Sequence, residues 1–311
     1  MSGDQFQPAY RLLSAADLAQ RRDQAVEMLH ACRLCPRECG VNRAAGETGF
    51  CGSGREALVA SYGKHFGEER PLVGYGGSGA IFFANCNLGC IFCQNYDISH
   101  LGYGQPVGPQ RLADMMIGLQ QRGAHNINLV TPTHFLPQIL EALVIAARRG
   151  LKLPLVYNCG GYESVAALKL LDGIVDIYMP DAKYSDEEVA QQLSRAPDYP
   201  QRMKAAIAEM HRQVGDLRIN EDGIAEHGLL VRHLVLPNNL AGTAAIMHFL
   251  ANLSPDTYVN VMAQYRPCYR ASEVEQISRR PTVEEYRQAV QAALDAGLHR
   301  LDERPLAVLQ R

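Results

Sequence analysis

The stretch Cys86-Asn87-Leu88-Gly89-Cys90-Ile91-Phe92-Cys93 sets three thiols at the spacing C-x3-C-x2-C. Any fold of this chain must bring those sulfurs together on one loop, because cysteines grouped in this way usually hold metal. Gly89, Asn87 and Gln94-Asn95 mark the segment as a loop, whereas buried structural cysteines sit in apolar strands or helices. Three thiolates are one short of a closed site, whether tetrahedral zinc or a cubane cluster with four cysteine ligands. A 4Fe-4S cluster held by three cysteines leaves one iron open to another ligand, as catalytic zinc keeps an open position.

A second group lies upstream. Cys32, Cys35, Cys39 and Cys51 follow the pattern C-x2-C-x3-C-x11-C and make a complete set of four ligands for zinc or an auxiliary iron-sulfur cluster. Between Cys32 and Cys51 the sizeable apolar residues are Leu34, Val41 and Phe50, too few for a core, so a structural metal is expected to hold this segment. Free thiols, with Cys51 farthest from the rest, or a docking knuckle for a partner are the other readings.

The balance of 30 Lys+Arg against 33 Asp+Glu, with no polybasic run, points away from nucleic acid and from an anionic membrane surface. Residues 1–5 lack the basic and apolar regions of a secretory signal. The uncharged run from Pro71 to Tyr96 is interrupted by five glycines and by Asn85, Asn87 and Asn95, so it is not a membrane span. A cytoplasmic protein is expected, in which cysteines serve as metal ligands and free thiols.

Along the chain, Ser14 caps a helix expected from Ala15 to Ala31, and residues 55–79 read as irregular. The apolar run Ala80–Ala84 is a buried strand leading into the three-cysteine loop. Strands at Asn126–Val130, Leu153–Tyr157, Ile174–Met179, Leu229–Leu236 and Thr257–Met262 then alternate with amphipathic helices. Ser185 with Glu188 and Thr282 with Glu285 form capping boxes. Six short strands alternating with helices imply parallel βα units, with ligands at the carboxyl ends of the strands. The expected architecture is α/β, a partial (β/α)6 TIM-like barrel. Residues 1–70 form an N-terminal helix and cysteine-rich extension, 71–270 the barrel, and 271–311 a C-terminal helix and tail.

The C-x3-C-x2-C pattern with Phe92 before its last cysteine resembles the signature of the radical S-adenosylmethionine (radical SAM) superfamily. The segments CRLCPRECGVNRAAGETGFC, GSGAIFFANCNLGCIFCQN, TPTHF, DIYMPDAKYSD, VRHLVLP and MAQYRP resemble its pyruvate formate-lyase-activating-enzyme-like branch over roughly residues 30–270. The resemblance implies a 4Fe-4S cluster on Cys86, Cys90 and Cys93, whose open iron binds S-adenosylmethionine. Reductive cleavage then gives a 5′-deoxyadenosyl radical that abstracts hydrogen, with a glycine of a partner glycyl-radical enzyme as the leading substrate. Flavodoxin or ferredoxin is the implied electron donor. The same radical acting on a small molecule, a peptide or another protein residue is the alternative, and a metal-bound adaptor or redox sensor without turnover is a third reading.

Carried over by position, Phe92 lies near the adenine, Asp181 and Lys183 match an Asp-x-Lys element near the methionine end of the cofactor, and Arg232 matches a cofactor-binding arginine on the fifth strand. An ordinary salt bridge is the alternative for Lys183 and Arg232. Thr131, His134, Asn158 and Gln264, at strand ends, complete the expected cofactor-binding set, with a hydrogen-bonded structural histidine as the alternative for His134. The activases' Gly-Gly-Glu element is replaced by Thr131-Pro132-Thr133-His134, and their aspartate after the third strand by Tyr157 or Asn158. Cys159, Cys268 and Tyr265 are candidates for radical chemistry, with buried, unreactive side chains as the alternative.

Overall fold

A computed structural model describes residues 6–302. Helix α1 (Ala15–Glu27) begins where Ser14 accepts a hydrogen bond from the Asp17 amide. It stops short of Ala31 because the cysteine segment takes over the backbone that follows. Cys32 N donates to Val41 O, Gly40 N to Cys32 O and Arg43 N to Leu29 O. Next come β1 (Ala57–His65), α2 (Arg70–Val73), β2 (Ser78–Phe83), α3 (Tyr96–Ser99), β3 (Gln105–Val107), α4 (Pro109–Gln121) and β4 (Ile127–Val130). The chain continues through α5 (Leu136–Arg148), β5 (Leu155–Cys159), α6 (Val165–Lys169), β6 (Ile177–Pro180), α7 (Glu187–Ser194), α8 (Tyr199–Val214), β7 (Arg218–Ile219) and β8 (Ala225–Leu234). It ends in α9 (Thr243–Leu253), β9 (Tyr258–Met262) and α10 (Val283–Asp295).

The sheet runs β3-β1-β2-β4-β5-β6-β8-β7, with β9 also paired to β8. Strands β2, β4, β5, β6, β8 and β9 pair in parallel, each with the next. These are the six strands expected from the sequence, so the fold is α/β with a mostly parallel sheet. Three strands were not expected. β1 pairs antiparallel with β2 and β3, and β7 antiparallel with β8. The stretch read as irregular therefore contains a nine-residue strand, and the chain enters the sheet at Ala57, ahead of residue 71.

The period-two alternation of strands sorts their side chains into two cores. Leu155, Tyr157, Tyr178, Leu229 and Val231 join the large cluster beneath the helices, while Val156, Ile177, Met179 and Leu230 form a second cluster with Leu72, Leu217 and Ala225. No residue of the crossover helices belongs to the second cluster. Its face continues upward, through Asn158 and Arg232, into a cavity at the carboxyl ends of the strands. Helix α7 is capped by Asp186, which accepts from Val189 N, and not by Ser185. The capping box of Thr282 and Glu285 is present on α10. The tail beyond residue 302 lies outside the described residues.

Candidate active site

Strand β2 delivers the three-cysteine loop to a cavity of about 780 Å³, within the range typical of ligand sites. Cys86, Cys90 and Cys93 all line it, and none is in a disulfide. Gly89 turns the loop at φ +72°, and a Cβ there would meet the Phe50 ring at 3.1 Å. Ser194 Oγ donates to Cys90 Sγ at 3.2 Å, Ser99 Oγ to Cys93 Sγ at 3.1 Å and the Leu88 amide to Cys86 Sγ at 3.4 Å. Without a metal, burial pushes the Cys86 thiol up to about 12 and raises that of Cys93. Donors aimed at buried sulfurs suit thiolates bound to a cation, the form in which cysteine ligates metal.

The same cavity carries ionic groups from three strand ends. Asp181 accepts from Arg232 Nε at 2.8 Å and from Lys183 Nζ at 2.6 Å, and Arg232 Nη2 donates to Asn158 Oδ1 at 2.7 Å. Burial opposes ionisation of Asp181, but Arg232 and Lys183 outweigh it and hold the carboxyl below its usual value. The same carboxylate raises Lys183 against its burial. Both cations are ion-paired, as the salt-bridge reading holds, and both face the cavity, as the cofactor reading requires. Tyr199 braces these groups, its hydroxyl donating to Asp181 O while the Lys183 amide donates to that hydroxyl.

Phe92 lines the cavity and meets Tyr184 and Tyr265 edge to face. Thr131 and Gln264 also line it. Thr131 has φ +60°, a strained conformation for a β-branched residue. His134 is placed elsewhere. It is buried, with Nε2 bonded to Ala84 O at 2.8 Å, and burial lowers its pKa to about 3. It lines a separate small cavity with Cys32, Cys35, Cys39 and Cys51. Of the radical candidates, Cys159 lines the large cavity, whereas Tyr265 is buried and donates to Ile277 O at 2.6 Å. Cys268 does not line the large cavity.

The four N-terminal cysteines thus share one pocket, and the buried Arg43 lies beside them. Its guanidinium donates to Gly54 O and His134 O and lies 4.0 Å from Cys32 Sγ. No carboxylate of the described residues pairs with it. A buried cation needs an anion nearby, and ionised thiolates in a metal site would supply one. Among the described residues, no three His, Cys, Asp or Glu side chains are grouped as ligands of a single ion.

Sequence reasoning overlooked several contributors. Arg37, inside the cysteine segment, donates to Asn87 O, Leu88 O and Ser194 O, with its guanidinium 3.8 Å over the Phe50 ring. Glu68, Glu69 and Asn260 line the cavity beside Arg232. Glu163, behind Cys159, accepts from Thr133 Oγ1 and Tyr157 Oη. A carboxylate or a lone arginine has no spacing signature, so these roles become visible only when the chain is folded.

No helix among the described residues is long and apolar enough to cross a membrane. A curated relative, an uncharacterised protein of Methanocaldococcus jannaschii, is 35% identical over 272 residues, covering 84% of this chain and 74% of that protein. Structural similarity extends to a radical SAM methyltransferase from Sphaerobacter thermophilus, with TM-score 0.49 and 16% identity, over 70% of this chain and 64% of that one. The chain thus spans less than two thirds of that methyltransferase. Methylornithine synthase gives TM-score 0.38 and 16% identity, over 70% of this chain and 67% of that one. The family model of the radical SAM superfamily matches residues 80–220, from β2 and the three-cysteine loop through β7. That match makes residues 80–220 a radical SAM domain, the domain of enzymes that use a 4Fe-4S cluster and S-adenosylmethionine.

Proposed function

We propose that Cys86, Cys90 and Cys93 hold the 4Fe-4S cluster at one wall of the cavity, and that Asp181, Lys183, Arg232 and Asn158 position S-adenosylmethionine against it. The observation that carries this reading is the meeting of three thiols from one loop and an Asp-Lys-Arg-Asn network from three strand ends on a single cavity. When bound, the cluster would supply the electron that cleaves S-adenosylmethionine to methionine and a 5′-deoxyadenosyl radical. The residues of the chain do the rest. Ser99 and Ser194 orient and stabilise two thiolates. Lys183 offers a cation for the cofactor's carboxylate. Phe92 supplies a flat apolar wall for adenine, and Thr131 and Gln264 offer polar groups at the rim. His134 drops out of this set.

For the source of hydrogen, the segments quoted above support a glycine of a partner glycyl-radical enzyme, and that support is sequence resemblance alone. A low-potential donor such as flavodoxin or ferredoxin would reduce the cluster. The four N-terminal thiols, which share a pocket, would hold a zinc ion or an auxiliary iron-sulfur cluster.

The test is anaerobic reconstitution with iron and sulfide, metal analysis, and chromatography for 5′-deoxyadenosine after adding dithionite and S-adenosylmethionine. We expect about eight irons if both sites hold clusters, against about four irons and one zinc otherwise. Wild type should form 5′-deoxyadenosine and Cys90→Ala none. A fully loaded protein that never cleaves the cofactor, with any candidate partner, would leave the adaptor reading. A glycine-centred paramagnetic signal on a partner would establish the activase reading, and deuterium transfer with a small molecule would replace it.

A further inference from the structure

We infer that Glu69 and Asn260, beside Glu68, form a subsite for a cationic hydrogen-bond donor of the substrate, a protonated amine or a guanidinium. The inference rests on the cavity being the radical site and names the class of substrate it takes. Glu69 is 4% exposed and Asn260 9% exposed. Asn260 Nδ2 donates to Glu69 Oε1 at 2.8 Å, which leaves Glu69 Oε2 and Asn260 Oδ1 with no hydrogen-bond partner. Both residues line the cavity. Two buried acceptors side by side, left unpaired, call for a ligand that carries donors.

Charge selects a cation. The nearby positive groups are already engaged, Arg232 by Asp181 and Asn158 and Lys183 by Asp181. Arg232 Nη1 lies 3.9 Å from Glu68 Oε2, and His65 Nδ1 lies 2.9 Å from Glu68 Oε1. Glu68 and Glu69 bring two carboxyl groups to the wall beside the Arg232–Asp181 pair, and burial, which raises the Glu69 carboxyl above its usual value, is a penalty that a bound cation would offset. The wall is also rigid. Glu69 precedes α2, whose Leu72 sits in the second core and accepts from Asn126 Nδ2 at 2.9 Å. A preformed acceptor pair of this kind binds a cation without first having to be ordered.

The experiment is calorimetric titration of the reconstituted protein with n-butylammonium, n-butylguanidinium and n-butanol at constant ionic strength, alongside titration with S-adenosylmethionine. At least one cation should bind and butanol should not. Glu69→Gln, an isostere, should weaken cation binding by about tenfold or more, the loss of one charged hydrogen bond. Asn260→Ala should weaken it while keeping the carboxylate, which covers the case of a misfolded Glu69 variant. S-adenosylmethionine should bind each variant within about threefold of wild type. No cation binding, equal binding of butanol, or a loss confined to S-adenosylmethionine would overturn the inference, the last by giving the acceptors to the cofactor. Failure of wild type to cleave S-adenosylmethionine would instead count against the radical reading, and it would leave these titrations standing.

Discussion

Glu163 is a buried carboxyl with a clear pH signature. It lies behind Cys159, where burial pushes its pKa up to about 7, and hydrogen bonds from Thr133, Tyr157 and Cys159 only partly offset that rise. A carboxyl whose folded pKa is raised contributes stability that is fully present below its unfolded value. That stability is lost as pH rises through the folded value. The loss for Glu163 should fall between about pH 4.5 and 7 and amount to about 3 kcal/mol. In Glu163→Gln the amide can still pair with Thr133 and Tyr157, because hydroxyls rotate to donate or accept. The variant should therefore gain stability relative to wild type as pH rises across that window, by urea unfolding at pH 5 and pH 8. A difference between the two proteins that stays constant with pH would show that Glu163 titrates as an ordinary carboxyl.

At the scale of elements, the loop that carries the three cysteines is fixed by segments far away in sequence. Ile91 N donates to Leu193 O near the end of α7, and Asn87 Nδ2 donates to Tyr162 O. Arg37 adds its fork to Asn87 O, Leu88 O and Ser194 O. Lysine has one ammonium and no planar fork, so Arg37→Lys should lose most of these bonds. The expected cost is about 2 kcal/mol, seen as a Tm several degrees lower, together with faster release of iron from the loop under chelation. Unchanged Tm and iron release would mean that the loop holds its shape alone. None of these braces could be read in advance, since a bond from Arg37 to a carbonyl fifty residues away leaves no local pattern. The parallel strands could be read, because apolar runs such as Ile81-Phe82-Phe83 and Leu155-Val156-Tyr157 are bounded by glycine, proline and asparagine. Strand β1 could not. It lies between β2 and the short, largely exposed β3, and its half in Ser61–His65 is mostly polar or exposed, so it lacks the apolar signal of a buried strand. The cysteine loop was legible because its ligand spacing is local, whereas the acceptors Glu69 and Asn260 are brought together from opposite ends of the sheet.

Across the whole molecule, the N-terminal cysteine segment and the parallel sheet form one assembly. Phe50 lies against Gly89, Arg37 bonds the loop backbone, and Arg43 reaches from the four-cysteine pocket to His134 O between β4 and α5. Farther along, Ala9 N donates to Asp176 and Tyr10 Oη to Leu153 O, so the first described residues are also tied to the sheet. A segment with so little core of its own should depend on its metal for shape, and its contacts should pass that dependence to the three-cysteine loop. Cys35→Ala is the direct test, because Cys35 lies in the pocket and makes no contact with the large cavity. Hydrogen exchange should rise by about tenfold or more in peptides covering residues 32–52 and 86–95, with α4 and α5 unchanged, since their buried faces pack on each other and on the sheet. A rise confined to residues 32–52 would make the N-terminal segment an independent appendage. A rise throughout the chain would make its metal a condition for folding the sheet itself. Only the intermediate pattern, loosening that stops at the three-cysteine loop, would mean that the segment's contribution to the radical site is to hold that loop in place.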